Sequence, residues 1–376
     1  MIYLDYAATT PMKREVMEVY MHTAETVIGN ASSLHSYGRE AKRVLNEARK
    51  EIARKIGARP NEIIFTSGGT EADNLAVFGL AKALRSKGCH IITTEIEHQA
   101  ILQPMKQLEE EGFDITYLPV DSSGLVQIED VKNALREDTI FVSIMFGNNE
   151  VGSIQPISEI GQLLKEREIP FHTDAVQAYG SVHMNVDEMH IDALTASAHK
   201  IGGPKGIGFL YVRNELSLTA HQVGGNQERK LRGGTENIPA IAAFAEAVRS
   251  SNRFNYDKMN EVTERFLNEL AQCSIQYEMN SPEQRLAHIV NIYFPHITVD
   301  HLLARLDLEG VAISSGSACT AGAVEASHVL VAMFGESERA NSSVRISFGE
   351  ETTLEEATEA ARIIGRVVET FQRGKE

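Results

Sequence analysis

The sequence predicts an α/β protein of two domains, the larger of which contains a mainly parallel sheet of seven strands. Seven short apolar runs lie between residues 62 and 212, and helical patterns separate the first five of these runs. This alternation of strands and helices is typical of a parallel sheet that helices cover on both faces. The chain has 376 residues, more than one simple core usually holds, so we expect a second, smaller α+β domain.

Each element of this prediction has its own signal. Apolar residues at helical spacing in LHSYGREAKRVLNEARKEIARKIG predict a helix that ends at Gly57. The runs predicted as strands are EIIFTSG, CHIITTE, FDITYLPV, TIFVSIMF, IPFHTDA, IDALTASA and GIGFLYV. Helices between them are predicted near 70–87, 99–111, 127–136 and 156–168. Because the last two runs leave little room for helices, part of the sheet is predicted to be antiparallel.

The smaller domain is predicted from the second half of the chain. A helical stretch runs from about Thr235 into the 270s. The runs HIVNIYF, DHLLARLDLEG and VRISFGEETT then mix strand and helix patterns before a terminal helix. We predict a large domain at 15–255 and a small domain formed by 1–14 and 256–376.

Composition and charge exclude several classes of function. The formal net charge of −16 argues against broad attraction to nucleic acid or to an anionic membrane. The N-terminus MIYLDYAATTP lacks the pattern of a signal peptide, and no run of about 18 apolar residues predicts a membrane span. The three cysteines form no CxxC pair, so neither a zinc site nor a disulfide framework is indicated. These features fit a reducing cytoplasm.

Polar residues follow five of the predicted strands, in the motifs SGGTEADN, EIEHQA, GNNEVG, DAVQ and HKIGGPKG. Ligands of parallel α/β sheets bind beyond the C-terminal ends of the strands. Each position also has a purely structural explanation. Thr70 with Asp73 could cap a helix, His98 could be a surface histidine, Asp174 could cap a turn, and Lys200 could be a solvated lysine. Five such strand ends in one fold favour a binding site.

The motif TSGGTE predicts a phosphate site, because backbone N–H groups at the start of a helix bind phosphate and Thr70 adds a donor. No Walker motif and no early GxGxxG is present, and no HExxH or acidic cluster suggests a metal. A phosphate site, a strand-end aspartate and a strand-end lysine together suggest pyridoxal phosphate. This cofactor needs a lysine for its Schiff base and a carboxylate to keep its ring nitrogen protonated.

The stretch ISSGSACTAG places Cys319 among small residues. A structural cysteine usually packs among larger apolar groups, whereas a reactive one is partly exposed and needs help to ionise. Since most single cysteines are inert, this segment alone favours the structural interpretation and leaves the reactive one open.

Several motifs, in order along the chain, resemble those of the cysteine desulfurases of the NifS/IscS type. They are YLDYAATTP, TSGGTEADN, EHQAIL, NNEVG, DAVQAYG, SAHKIGGPKGIG, LRGGTEN and SSGSACT, and the resemblance spans Tyr3 to Glu351. These enzymes belong to class V of the fold-type I pyridoxal-phosphate enzymes. The SSGSAC form is similar to that of the group I members. The resemblance implies a homodimer that removes sulfur from L-cysteine and passes it to an acceptor protein.

The resemblance also implies a role for each matching residue. Lys200 would hold the cofactor as a Schiff base and move the proton at the substrate Cα. Asp174 would pair with the ring nitrogen, and Gln177 and Asn149 would bond the phenolic oxygen. His98 would stack on the ring and assist proton transfer. The residues implied to bind the phosphate are Gly69, Thr70, Ser197, His199 and, from the partner subunit, the residue equivalent to Thr235.

At the substrate end, Arg345 would clamp the carboxylate of cysteine, with Asn149 also near the substrate. The Cys319 thiolate would attack the substrate sulfur, release alanine and keep a persulfide. A segment of serine, glycine and alanine packs little, so it is expected to swing between cleft and surface. Cys89 and Cys273, which lie in or beside apolar segments, keep the structural interpretation.

Some alternatives stay open at this level. The stretch VGGNQERKLRGGT departs from the family pattern GGGQERGLRSGT at Asn226, Lys230 and Gly234, close to Thr235. The chain stops soon after its last predicted helix, where members that serve the general iron–sulfur scaffold carry a tail. Selenocysteine lyase, another class V activity or a non-catalytic relative are the rival functions. The acceptor could be an iron–sulfur scaffold, a tRNA-thiolation enzyme or a carrier of thiamine synthesis.

Overall fold

The computed structural model describes residues 1–251, 256–315, 319–320, 323–324 and 326–373. The strands are β1 (Ile2–Tyr3), β2 (Ile63–Thr66), β3 (His90–Thr94), β4 (Asp114–Leu118), β5 (Thr139–Ser143), β6 (Phe171–Asp174), β7 (Ala193–Ser197), β8 (Gly208–Val212), β9 (Glu278–Met279), β10 (Ile289–Tyr293), β11 (Val311–Ala312), β12 (Cys319–Thr320), β13 (Ala323–Val324) and β14 (Ser343–Ser347). The helices are α1 (Arg14–Thr26), α2 (Ser36–Lys55), α3 (Gly69–Leu84), α4 (Gln99–Glu110), α5 (Ile128–Ala134), α6 (Ile157–Lys165), α7 (Ile238–Ser251), α8 (Tyr256–Leu270), α9 (Val299–Leu308), α10 (His328–Phe334) and α11 (Leu354–Arg373).

The seven predicted strands form one sheet in the order β2-β8-β7-β6-β5-β3-β4. Strand β8 is antiparallel to both of its neighbours, and every other adjacent pair is parallel. The prediction of a mainly parallel sheet with an antiparallel part is therefore confirmed. Since β8 alone is reversed, the C-terminal ends of the six other strands lie at one edge of the sheet.

Helices cover both faces of this sheet. Within β2, Ile63 and Phe65 face one core together with residues of α2 and α7, whereas Ile64 faces another core together with α3. Successive side chains of a strand point to opposite faces, so a run that is apolar throughout must be covered on both sides. The continuous apolar runs of the sequence thus describe strands that are buried on both faces.

The helix bounds differ from the predicted ones mainly at the ends. The first predicted helix begins at Ser36 because the His35 side chain accepts a hydrogen bond from the Gly38 N–H, and Gly57 follows its end with a φ of +71°. The stretch predicted to be helical from Thr235 begins only at Ile238, since Asn237 Oδ1 accepts the N–H of Ala240. That stretch contains α7 and α8, and residues 252–255 between them lie outside the described residues.

A second apolar core lies apart from the large sheet. It joins α8, α9 and α11 with β10 and β14, and Leu4 from the N-terminus lies within it. Strand β1 pairs in parallel with β11, and β14, β10 and β9 form an antiparallel sheet. The N-terminus therefore packs with residues about 300 positions later before the chain enters α1. None of the described helices combines the length and the apolar character that crossing a bilayer requires.

Candidate active site

The predicted site residues converge at the edge of the sheet where β2, β3, β5, β6 and β7 end. The turn into α3 follows β2, His98 follows β3, Asn149 follows β5, Asp174 ends β6, and Lys200 follows β7. The N-terminal segment 5–10 lies across this edge and connects it to β14, which carries Arg345. The cleft is thus formed by parts of the chain that are far apart in sequence.

The turn into α3 has the features of an anion site. The N-cap position is Gly68, no side chain caps the first turn, and Thr70 is exposed. A Cβ atom at Gly69 would lie 2.9 Å from Val176 Cγ2 and 3.8 Å from the Cβ of Ser197. Free N–H groups of a first helical turn attract a phosphate. The structure therefore brings Gly69, Thr70 and Ser197 together around one small space.

The alternative that Thr70 and Asp73 form a capping pair is wrong. Asp73 is fully buried on the sheet side of α3, where its Oδ1 lies 3.8 Å from His172 Nε2. Glu71 Oε2 accepts the N–H of Ser67, just before the helix, at 2.8 Å, which leaves the N–H groups of the first turn without a side-chain cap. Thr70 is consequently left available to a ligand.

Asp174 ends β6 as a buried carboxyl group. Its Oδ1 accepts the N–H of Val176 at 2.8 Å, so the suggested turn cap is present. Burial raises the pKa of Asp174, while the nearby His98 and Lys200 act in the opposite direction. A buried carboxyl that faces a histidine and a lysine is suited to pairing with a cationic ring nitrogen.

Lys200 ends a short 3₁₀ turn, Ala198–Lys200, directly after β7. Its Nζ donates hydrogen bonds to the carbonyl oxygens of Ala7 at 2.6 Å and Ala8 at 2.9 Å. Desolvation and then the positive charge of Arg345 lower the pKa of Lys200 to about 8, although Asp174 and Asp5 oppose the shift. An amine with such a pKa has a useful neutral fraction at pH 7 and can act as a nucleophile.

His98 caps the helix α4 and is exposed in the cleft. Its Nδ1 accepts the N–H of Ala100 at 3.1 Å, so the neutral ring carries its proton on Nε2. Desolvation lowers the pKa of His98, and the charge of Asp174 partly offsets this effect. The start of α4 therefore holds the ring through Nδ1, and Nε2 does not take part in this helix cap.

Gln177 lies beside the N-terminal segment, and Asn149 lies beside Arg345. Gln177 Nε2 donates to the carbonyl oxygen of Ala7 at 2.8 Å, so Gln177 and Lys200 share one acceptor. The carbonyl oxygen of Asn149 accepts a hydrogen bond from Arg345 Nη1 at 2.9 Å. The preceding Asn148 is fully buried: its Nδ2 donates to the carbonyl oxygen of Ile96 and contacts the sulfur of Met145, and its Oδ1 accepts the N–H groups of Glu150 and Val151.

The remaining predicted phosphate ligands are His199 and Thr235. His199 is half-buried, its Nδ1 lies 3.2 Å from Thr9 Oγ1, and burial together with Lys200 lowers its pKa to about 4. Thr235 is exposed on a loop whose Arg232 forms a 2.7 Å ion pair with Glu71. The loop is therefore tied to the turn that begins α3.

Cys319 lies in the short strand β12, which pairs with β13 so that Cys319 opposes Val324. The described residues do not include the side chain of Cys319 or residues 316–318, 321–322 and 325. The prediction that this segment swings concerns these same residues and therefore stays a prediction. The residues on either side of the cysteine segment are described. Ser314 exchanges two backbone hydrogen bonds with Arg345, and Ser327 Oγ donates to the buried Glu150 Oε2 at 2.5 Å.

Sequence reasoning missed a group of buried ionisable residues behind the cleft. Glu97 precedes His98, and burial raises its pKa to about 8. Asp73 also has a raised pKa, chiefly from burial, and His172 in β6 has a pKa lowered to about 3 by burial. Only their closeness to His98, Thr70 and Asp174 in the sequence could have indicated them, because an isolated polar residue usually lies at the surface.

The comparison with known proteins agrees with this geometry. The family model of aminotransferase class-V matches residues 2–359. The chain belongs to the class-V aminotransferase family. A relative from Bacillus subtilis (strain 168) with IscS 1 in its name is 52% identical over 373 residues, 98% of each chain. The protein named Cysteine desulfurase IscS of Dictyoglomus turgidum (strain DSM 6724 / Z-1310) is 44% identical, over 99% of this chain and 95% of its own.

Solved structures of this family superpose on nearly the whole chain. A structure titled NIFS-LIKE PROTEIN has a TM-score of 0.92 at 33% identity and covers 98% of this chain and 99% of its own. A structure titled SspA in complex with cysteine has a TM-score of 0.84 at 37% identity and covers 93% and 99%. The predicted resemblance and the fold-type I architecture are confirmed.

Class-V aminotransferases use pyridoxal phosphate, and this is the cofactor of the chain. The residues present fit it. The uncapped first turn of α3 can hold the phosphate, the close approach of Val176 to Gly69 leaves room only for a glycine, and the buried Asp174 can pair with the ring nitrogen. The neutral fraction of the Lys200 amine can form the Schiff base.

Proposed function

We propose that this protein is a pyridoxal-phosphate-dependent cysteine desulfurase, which converts L-cysteine to L-alanine and retains the sulfur as a persulfide on Cys319. The observation that carries the proposal is the placement of the lysine Lys200, the buried Asp174 and the arginine Arg345 around one cleft. The relatives named cysteine desulfurase and the structural neighbour titled as a complex with cysteine support the same substrate.

The bound cofactor supplies an electron sink at the substrate Cα, which weakens the bond between Cβ and sulfur. Arg345 holds the carboxylate of cysteine through the free N–H groups of its guanidinium. The Lys200 amine takes the proton from Cα and returns a proton as alanine forms. His98 carries its proton on Nε2 and assists proton transfer to and from the substrate through this nitrogen.

The Cys319 thiolate completes the reaction at the substrate sulfur. It forms a sulfur–sulfur bond while the bond from sulfur to the substrate Cβ breaks, and the electron pair of that bond goes to the carbon that is later protonated. The enzyme then holds a persulfide and releases alanine. We propose that an acceptor protein takes the terminal sulfur, which makes the chain a sulfur donor.

Three further features belong to this proposal: the oligomeric state, the division into domains and the cellular compartment. We propose a homodimer in which Thr235 of each subunit reaches the phosphate in the other, because Arg232 anchors the loop of Thr235 beside Thr70.

We also propose a large domain at 15–255 and a small domain at 1–14 and 256–376. The separate core that contains Leu4 with described residues between Met259 and Val368 supports this division. A reducing cytoplasm suits a thiolate that must stay unpaired.

The proposal is tested by product analysis with L-cysteine and a thiol reductant. We expect equal amounts of alanine and sulfide, and a persulfide on Cys319 when the reductant is omitted. Cys319→Ser should form almost no alanine, because serine is a poor nucleophile toward sulfur. Cys89→Ser is the matched control and should retain activity, since Cys89 is half-buried beside Asp138.

The same experiment distinguishes the rival functions. Transfer of the amino group to an added keto acid, without sulfide, would identify an aminotransferase and overturn the proposal. Selenocysteine lyase would be indicated if selenocysteine were converted and cysteine were only an inhibitor.

A further inference from the structure

The guanidinium of Arg345 is held by a carboxylate from the opposite end of the chain. Arg345 Nη2 lies 2.8 Å from Asp5 Oδ1, and the two side chains are 5% and 23% exposed. An ion pair that is largely removed from water has a defined geometry and a stronger interaction than a surface pair. Asp5 therefore restricts the orientation of Arg345 in the cleft.

Within the part of the chain that the structure describes, the hydrogen bonds of Arg345 leave part of its guanidinium free. Nη1 donates to the carbonyl oxygen of Asn149 and Nη2 donates to Asp5, which uses two of the five N–H groups. The Nε group is buried and has no partner among the residues that the structure describes. A buried, unpaired donor costs free energy, so it indicates a group that completes its bonding only with a ligand.

Asp5 is itself fixed by the backbone. Asp5 forms a bridge with Ser347 of β14, and the Ala7 N–H donates to Ser347 Oγ at 2.9 Å. Two residues after Asp5, the carbonyl oxygen of Ala7 accepts hydrogen bonds from Lys200 and Gln177. The segment 5–8 thus connects the arginine of β14 to the lysine after β7.

We propose that Asp5 is a positioning residue for substrate binding, which holds the plane of Arg345 so that its free N–H groups meet the α-carboxylate of the amino acid. This inference rests on the proposed function, in which Arg345 binds that carboxylate. Asp5 does not contact the reacting atoms and acts through Arg345. Its negative charge also opposes the effect of Arg345 on the pKa of Lys200.

The test measures binding of a carboxylate separately from turnover. L-alanine, which has the carboxylate but no sulfur, is titrated into the holoenzyme and followed by the cofactor spectrum. L-alanine methyl ester, which lacks the carboxylate charge, is the parallel probe. For Asp5→Ala we expect L-alanine to bind about tenfold more weakly, while the ester changes by less than about twofold.

Two more variants separate positioning from general damage. Asp5→Asn should recover most of the affinity, because its amide oxygen can accept the same hydrogen bond. Asp187→Ala breaks an exposed ion pair with Arg213 after β8, at the opposite edge of the sheet, and should change neither probe. With L-cysteine, Asp5→Ala should raise KM about tenfold and leave kcat within about twofold, since the effect is on carboxylate binding.

The decisive result is a double-mutant cycle with Arg345→Ala. If Asp5 acts through Arg345, adding Asp5→Ala to Arg345→Ala should weaken L-alanine binding no further. Additive losses, or equal losses for the acid and the ester, would overturn the inference. If L-cysteine yields no alanine while L-alanine binding still depends on Asp5, the proposed function fails and the role of Asp5 stands.

Discussion

Glu97 is completely buried directly beside His98, which is exposed in the cleft. Glu97 Oε1 accepts hydrogen bonds from Thr94 Oγ1 and from the Met145 N–H, both at 2.8 Å, whereas Oε2 has no partner among the described residues. The carbonyl oxygen of Glu97 is 2.9 Å from His328 Nε2, on the helix that follows the cysteine segment. The loop after β3 thus joins a buried acid, the predicted ring-stacking histidine and the end of that segment.

The first prediction concerns the pH dependence of stability. Burial raises the pKa of Glu97 from 4.5 to about 8, so the folded protein binds this proton more tightly than the unfolded chain does. The stabilisation that protonated Glu97 contributes is complete below pH 4.5 and is lost progressively as pH rises from there through 8. Glu97→Gln mimics the protonated acid. Its free energy of unfolding, relative to that of wild type, should therefore increase by about 3 kcal/mol between pH 5 and pH 7.5.

This gain is measured as the difference in thermal unfolding midpoint between variant and wild type at the two pH values. The exposed Glu95 provides the control, and Glu95→Gln should show no difference that grows with pH. A constant difference for Glu97→Gln would show that the carboxyl is ionised in the folded protein.

The second prediction concerns loading of the cofactor. Because desolvation lowers the pKa of Lys200 to about 8, its neutral amine becomes the major form above that pH. The rate at which the apoprotein takes up pyridoxal phosphate should rise between pH 7 and 8 and level off above about pH 9. The measurement is the visible absorption band of the lysine-bound cofactor, recorded after rapid mixing.

Lys200→Ala should not develop this band at any pH. The exposed Lys205, five residues later, is the matched control, and Lys205→Ala should load like wild type. A loading rate that keeps rising to pH 10.5 would show that the environment of Lys200 does not lower its pKa.

The third prediction separates helix capping by His98 from its proposed role in the reaction. Asparagine is a good N-cap residue but has no ring, so His98→Asn should preserve α4 and remove the stacking and the proton transfer that we propose for His98. Alanine formation at saturating L-cysteine should fall roughly 100-fold, the usual size of a general acid–base contribution. The thermal unfolding midpoint should change little.

His35 offers a close control. It also caps a helix, since its Nδ1 accepts the Gly38 N–H at 3.2 Å, but it is exposed at the start of α2. His35→Asn should leave alanine formation at the wild-type rate. If both variants lost activity equally, the loss would reflect helix capping rather than chemistry.

The fourth prediction tests whether two subunits share a site. Lys200→Ala and Thr235→Ala should each be nearly inactive alone. When the two variants are mixed and allowed to exchange subunits, a heterodimer contains one site with both Lys200 and Thr235 intact. Alanine formation should therefore reappear in the mixture. Exchange without recovery of activity would place Thr235 in the site of its own subunit.

Local sequence patterns were sufficient to predict the strands of the large sheet and the positions at which they end. Runs such as IIF in β2 and IFV in β5 are apolar throughout, and a parallel sheet under two layers of helices is the arrangement that buries them. The same pattern placed Asp174 and Lys200 at one edge, because the C-terminal ends of parallel strands meet there. The antiparallel direction of β8 was also indicated by its short connection to β7.

Only the tertiary structure decided which polar groups lose their water and which distant residues meet. Glu97 and His98 are adjacent in the chain, yet one is buried and the other exposed, since packing of the loop against Met145 determines their environments. Asp5 and Arg345 are 340 positions apart, and no periodicity relates them. Desolvation and ion pairing depend on surroundings in three dimensions, so the pKa of Lys200 and the placement of Arg345 follow from the fold rather than from local sequence.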